Sequence, residues 1–325
     1  MNSFPALPAR LFKYVTFERL DVLQNECIRF TQRDGLNDPW ELRPNVEKLA
    51  TEEQIEREIL QPLFDDPDIK ELIGDVAGEW KRIPSAQRAK FPGGFPAFKK
   101  YVRRRLSSDP QFLAQTLSDG REKTRQGINK SSLDFGEAFS KALGDSFGVL
   151  SLTTNSSNKL MWSHYAASHT GMVLELDTNQ PFFNHPLGDN GKVNHPRPIR
   201  YMAQLPAFPS LQELAASGPS KAVEALMFIK SEEWSYEEEW RMVNALQSAD
   251  KTITTDKDGK PLENATHLFK LPASCITGVI LGAQMPEANR QTIINFIRTD
   301  GRYGHVALSQ AKTSKQSYAM DIEPL

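Results

Sequence analysis

The sequence predicts an α+β protein, a mixed central sheet with a helical insertion after its first strand pair. Three observations carry this. Short apolar runs of strand length, LFKYVT, CIRFTQ, FGVLSLTT, GMVLELD, HLFKLP and CITGVILGA, recur at irregular intervals. Segments of helical period lie between some of them, so neither strict βα alternation nor an all-strand pattern holds. Between residues 46 and 144 strand character gives way to charged and apolar residues mixed at helical period. The expected organisation is a single α+β domain over 1–325, with 46–144 as a helical insertion within it.

Bulk composition narrows the class. A chain of 325 residues buries a core without disulfides or structural metal. Its 39% hydrophobic and 25% charged residues are ordinary for a globular protein, and a net charge of -2 supplies no global field towards nucleic acid or membrane. Cys27 and Cys275, the only cysteines, sit in apolar sequence and form neither a disulfide framework nor a zinc site. MNSFPALPARLFKYV lacks the apolar stretch of a signal peptide, and no run approaches the ~20 residues of a membrane span. A cytoplasmic protein without a membrane partner is the expectation.

In chain order, LFKYVT reads as a strand, FERLDVLQNE as a helix and CIRFTQ as a second strand. GLNDPWELRP has turn chemistry, with Asn-Asp-Pro breaking any regular element. In the insertion, TEEQIEREILQPLF and DIKELIGDVAGEWKRI are helical, with breaks at Pro84 and FPGGFP. AFKKYVRRRL is a basic amphipathic helix. Its Lys99, Lys100, Arg103, Arg104 and Arg105 are candidates for contact with phosphates or an acidic partner, against the plainer account of a solvated face. FGVLSLTT returns to strand, NKLMWSHYAASH is helical and GMVLELD is a strand. Residues 181 to 198 read as loop, IRYMAQL as extended, and LQELAASGPSKAVEALMFIKS as helix with a Gly-Pro break. KTITTDKDGKPLENA is a hairpin or loop with an Asp-Gly turn. HLFKLP and CITGVILGA are strands, PEANRQTIINFIRT is a helix with proline near its first turn, and HVALSQA is the last strand.

Several chemical motifs fit the surrounding sequence poorly. GDSFG matches the G-x-S-x-G elbow and would make Ser146 a hydrolase nucleophile, yet a helix precedes it and a strand follows, the reverse of the required strand-to-helix turn. A glycine-bounded helix stop explains it better. His164 and His169 stand five apart, a spacing that turns helical side chains away from each other, and no H-E-x-x-H occurs. No metal is expected. Neither G-x-G-x-x-G nor G-K-S/T is present.

SEEWSYEEEWRMV, residues 231 to 243, holds the strongest candidates. Read as a strand, it puts Glu237, Glu239, Arg241 and Val243 on one face and Tyr236, Glu238, Trp240 and Met242 on the other, core-directed one. Two carboxylates two apart repel, so a cleft that uses one of them gains more from the pattern than an open face. The alternative is an edge strand with a surface Arg–Glu pair worth under ~1 kcal/mol. On the NKLMWSHYAASH helix, Trp162, His164 and Tyr165 are candidate walls for a planar ligand, or plain core aromatics.

The ordered set LFKY (11–14), LNDPWE (36–41), VLSLTTNSSNKLMWSHYA (149–166), GMVLELD (171–177) and WSYEEEWR (234–241) resembles the bacterial domain-of-unknown-function family 2971. That family looks like a divergent branch of the ADP-ribosyltransferase superfamily. The resemblance implies an ADP-ribosyltransferase-like sheet, NAD as substrate and no metal. It implies mono-ADP-ribosyl transfer to a protein or nucleic-acid acceptor by a toxin or phage-defence effector, held in check by an antitoxin-like regulator. By motif, Lys13 and Tyr14 take the first-strand position on the adenosine side of NAD. Ser151, His164 and Tyr165 are the candidates for the position that frames the nicotinamide, and Trp162 and Arg241 join the cofactor-binding set. Glu239 is the catalytic residue gripping the ribose and Glu237 its assistant. Lys13 departs from the family's His or Arg, giving a point charge without a planar fork. The rival from another class is a non-catalytic binding or regulatory protein on the same scaffold; a serine hydrolase using Ser146 is the third.

Overall fold

In the computed structural model, the first apolar-aromatic run forms strand β1 (Arg10–Val15). A 3-10 turn and helix α1 (Asp21–Asn25) return the chain into β2 (Cys27–Phe30). The structure describes residues 5–43, 52–61, 76–187, 192–206 and 226–325. Two compact units divide the chain: Met1–Pro44 with Phe139–Pro206 and Ser220–Leu325, and Asn45–Ala138 with Ala207–Pro219.

The second unit contains helices α2 (Val76–Arg82), α3 (Ser85–Arg88) and α4 (Gly94–Ser108), and most of α5 (Pro110–Ser146). Trp80 and Phe91 pack on Phe98 with ring centroids 5.3 and 5.2 Å away, which joins α2 to α4. Asp109 caps α5 by accepting from the Phe112 amide at 3.0 Å. The basic run lies on α4 as its helical period requires. Lys99, Lys100, Arg104 and Arg105 are exposed, and the side chain of Arg103 lies outside the described residues. Arg105 is engaged locally, paired with Asp109 at 3.2 Å and over the Phe112 ring at 4.4 Å.

In the first unit the chain continues through β3 (Phe147–Thr153), α6 (Lys159–Tyr165) and β4 (Met172–Asp177). Short strands follow: β5 (His185–Leu187), β6 (Lys192–Asn194), β7 (Arg197–Pro198), β8 (Arg200–Met202) and β9 (Ile229–Ser231). Then come β10 (Glu239–Ala245), β11 (Lys251–Thr255), β12 (Pro261–Lys270), β13 (Ile276–Leu281), α7 (Glu287–Thr299), β14 (Ala307–Thr313) and β15 (Met320–Pro324). The main sheet has the order β15-β14-β13-β4-β1-β3-β10-β7. It is mixed, since β13 and β14 run parallel and the other neighbours antiparallel. The mixed α+β architecture expected from the sequence is therefore present.

Strand alternation splits β4 between two cores. Met172, Leu174 and Leu176 join the larger cluster with Ile293, Ile294 and Ile297 of α7, while Val173 joins a second cluster with Tyr14 and Trp162. Both faces of the central strands are covered, which explains the nearly unbroken apolar run of MVLELD. Gly171 is required just before β4, because a Cβ there would stand 2.3 Å from the Val15 carbonyl oxygen.

Four local expectations are corrected. Helical LQELAASGPSKAVEALMFIKS falls largely on 207–225, outside the described residues, and its end is strand β9, pairing parallel with β8. The 181–198 loop contains β5, β6 and β7. HVALSQA is followed by a further strand, β15, whose register on β14 runs from Ser309↔Pro324 to Thr313↔Met320. The stretch 231–243 is not one strand: Glu232–Glu237 is a 3-10 turn, Glu238 is left-handed at φ 46, and β10 starts at Glu239. That left-handed residue costs about 1 kcal/mol or more. It also turns Glu238 outward, where it accepts from Thr154 Oγ1 at 2.7 Å, rather than into the core.

Candidate functional site

Strands β1, β3 and β10 are neighbours, yet β1 and β3 share a single register pair, Phe12↔Thr153. Thr31, just past β2, takes up the other end of β3 by bridging to Val149. Where β1 and β3 part, Lys13 Nζ donates to the Ser151 backbone carbonyl at 2.9 Å. A cavity of about 210 Å³ occupies this opening, and its walls include Lys13, Tyr14, Ser151, Tyr165, Glu237 and Glu239.

Part of its wall is a buried ion network of Glu41, Lys230, Glu237 and Glu239, with Arg241 enclosed behind them. Arg241 sits on the same face of β10 as Glu239, two residues on, and opposite Ser151 in register. Its Nε donates to Glu239 Oε1 at 2.9 Å and its Nη2 to Glu239 Oε2 at 3.1 Å, a two-pronged grip. Nη1 donates to the Met227 carbonyl at 2.9 Å and Nη2 also to Glu41. Lys230 Nζ stands where the three carboxylates converge, 2.7 Å from Glu237 Oε2, 3.4 Å from Glu239 Oε2 and 3.9 Å from Glu41 Oε1. Tyr165 completes Glu237 by donating to Oε1 at 2.6 Å, and accepts from Asn37 Nδ2 at 2.9 Å. Tyr201 Oη accepts from the Glu239 amide at 2.7 Å, which fixes the start of β10.

The two glutamates differ electrostatically although two residues apart. Burial pushes the Glu237 carboxyl above its ordinary range, against the opposing pull of Lys230 and Tyr165. Burial pushes Glu239 the same way, but Arg241 and Lys230 outweigh it and hold the carboxyl below its ordinary range. Burial lowers the Lys13 amine to about 8, with Glu239 opposing. Burial, reinforced by Glu237, also raises the Tyr165 phenol, so it stays a donor at neutral pH.

Of the residues singled out by sequence, Lys13, Tyr14, Ser151, Tyr165, Glu237 and Glu239 line the one cavity. Three do not. Trp162 is fully buried behind Tyr14, in an edge-to-face contact of 5.3 Å, with its Nε1 donating to the Ser156 carbonyl at 3.0 Å. His164 is exposed, its ring 6.3 Å from Tyr165 and 6.5 Å from Tyr236. Arg241 is fully enclosed and acts on Glu239 from below. Ser146 closes α5 directly before β3, a helix-to-strand junction. Among the described residues no group of three or more His, Cys, Asp or Glu is arranged to hold a metal ion, and no helix is long and apolar enough to cross a membrane.

Glu41, Lys230, Tyr201 and Asn37 belong to the site and were not singled out. Glu41 ends the LNDPWE turn; the neighbouring Leu42 is buried in a left-handed conformation at φ 56, strain of the kind that clusters at functional sites. A carboxylate closing an otherwise turn-forming motif was its one sequence signal. Lys230 had none, since its segment carries helical periodicity.

Fold and site define an α+β protein with a tyrosine-walled polar cavity over a buried network of three carboxylates and two cations. Residues 161–242 match the model of a family described as Protein of unknown function (DUF2971), in support of the resemblance drawn from the motifs. That stretch includes Tyr165, Lys230, Glu237, Glu239 and Arg241. The chain matches no curated protein and no solved structure.

Proposed function

We propose that this protein is an NAD-dependent mono-ADP-ribosyltransferase acting on a protein or nucleic-acid acceptor. The observation carrying this is that Tyr14, Tyr165, Glu237 and Glu239 share one cavity with Lys13 and Ser151. Breaking the nicotinamide–ribose bond develops oxocarbenium character at the anomeric carbon. Glu239, held ionised by Arg241 and Lys230 and itself buried, stabilises that positive charge through the ribose hydroxyl. Glu237, whose carboxyl is raised by burial, is suited to take the proton from the acceptor nucleophile. The two tyrosines flank the nicotinamide, and the Lys13 ammonium faces the phosphates as a point charge. A cavity of about 210 Å³ accommodates one end of a dinucleotide only, since pockets enclosing larger ligands run from roughly 300 Å³ upward.

The test is nicotinamide release from labelled NAD, with cell extract or RNA supplied as acceptor. Release by the wild type, abolished by Glu239→Gln with an unchanged circular dichroism spectrum, supports the reading. No release with any acceptor removes it. A second reading, a non-catalytic binding protein, is favoured by one feature: Arg241 and Lys230 already occupy both Glu239 oxygens. It expects no turnover and tight association with a macromolecule.

A further inference from the structure

A second cavity of about 410 Å³ adjoins the first. Glu41 and Lys230 line both, so the ion network is the wall between them. The two segments that build the wall send an aromatic to the far side. In LNDPWE, Glu41 turns inward to Arg241 while Trp40 opens onto the second cavity. In the Glu232–Glu237 turn, Glu237 enters the first cavity and Trp234 the second.

Trp40 is 63% exposed, whereas Trp162 and Trp240 are buried and Trp80 and Trp234 half-buried. Buried Asp38 accepts from the Trp40 amide at 2.9 Å and fixes that backbone. Met202, Leu226 and Ile229 supply apolar lining beside the charged Arg43 and Glu233, and the Trp234 ring centre lies 4.8 Å from Lys230 Nζ and 6.0 Å from the Tyr236 ring. An exposed indole on an anchored backbone, lining a cavity with apolar side chains, is what a flat heteroaromatic ring stacks upon.

We infer that the second cavity is a nucleobase subsite, in which the base stacks against Trp40 and Trp234. It goes beyond the transfer reading, since base binding at Trp40 requires no bond cleavage next door. The base has two sources, the adenine end of a dinucleotide or an unpaired base of an acceptor nucleic acid.

Titration calorimetry on the full chain, with AMP and separately with a short single-stranded RNA, separates these. Binding of either ligand, weakened about ten-fold or more by Trp40→Ala and largely restored by Trp40→Phe, supports the subsite. AMP alone assigns it to the dinucleotide, and RNA alone to the acceptor. Trp40 is exposed, so its truncation leaves the fold intact, which the circular dichroism spectrum verifies. Ribose 5-phosphate, which lacks a base, should show no dependence on Trp40. Absence of binding by both ligands, or binding indifferent to Trp40, overturns the inference. Trp40-dependent AMP binding without nicotinamide release from NAD would remove the transferase reading and leave the subsite standing.

Discussion

Tyr165 donates its hydroxyl proton to Glu237 Oε1 across 2.6 Å, tying the end of α6 to the turn before β10. Tyr165→Phe removes that donor and keeps the ring. Burial, the main cause of the raised Glu237 carboxyl, then acts with less opposition, so the carboxyl rises further. Under the transfer reaction proposed above, the acid limb of nicotinamide release should move to higher pH, and in any case a stability loss of about 1–3 kcal/mol is expected for the unpaired buried oxygen. A pH–rate profile and urea denaturation check this; an unmoved limb and midpoint would show that the bond does no work.

Arg241→Met leaves Glu41 and Glu239 facing each other in the interior without their guanidinium. Breaking a buried pair in this way costs about 3–5 kcal/mol. Arg241→Lys should recover only part, because an ammonium cannot grip both Glu239 oxygens and the Met227 carbonyl together. Adding Glu41→Gln to Arg241→Met should return some of the loss by removing an unpaired charge. Denaturant midpoints rank the variants.

Acid sensitivity follows from Glu239. Its folded carboxyl lies below the ordinary value, because Arg241 and Lys230 outweigh burial. The unfolded chain therefore takes up the proton first as pH falls. The stabilisation is complete at neutral pH and is lost as pH drops below about 4, through the folded value. Stability measured from neutral to acid pH should fall more gently for Glu239→Gln than for the wild type. Parallel curves would contradict the assignment.

Lys13 sets the alkaline side. Burial lowers its amine to about 8 from an ordinary 10.5, so between these values the unfolded chain holds more protons and stability from this group rises with pH. Affinity for an anionic ligand changes the opposite way, falling as the ammonium is lost near 8. Lys13→Arg keeps its charge and should move that limb upward. NAD affinity measured across the window decides, and a limb unchanged by the substitution would detach Lys13 from the ligand.

Much of the scaffold was legible in short windows. The short apolar run of MVLELD, the alternation of EWRMV, the Asp-Gly turn between β11 and β12, and the proline before α7 are local signals, each fixed by residue type, side-chain period or backbone sterics. The same period correctly put Glu239 and Arg241 on one face. It misjudged Tyr236 to Glu238, where three residues without apolar alternation form a turn closed by a left-handed glutamate. It left Trp162 and His164 open between pocket wall and core packing, since periodicity says which residues share a side but not which side meets a cavity.

By itself, then, the sequence determined the α+β class, the strands that supply the site, and the pairing of a carboxylate with an arginine two residues on. Only the tertiary structure decided that Glu41, separated from Arg241 by 200 residues, and Lys230, on strand β9, would close a charged network in the cavity wall. The physical reason is range. A period of two or 3.6 residues fixes local geometry, whereas buried charges are matched by whichever partners the sheet register carries into contact.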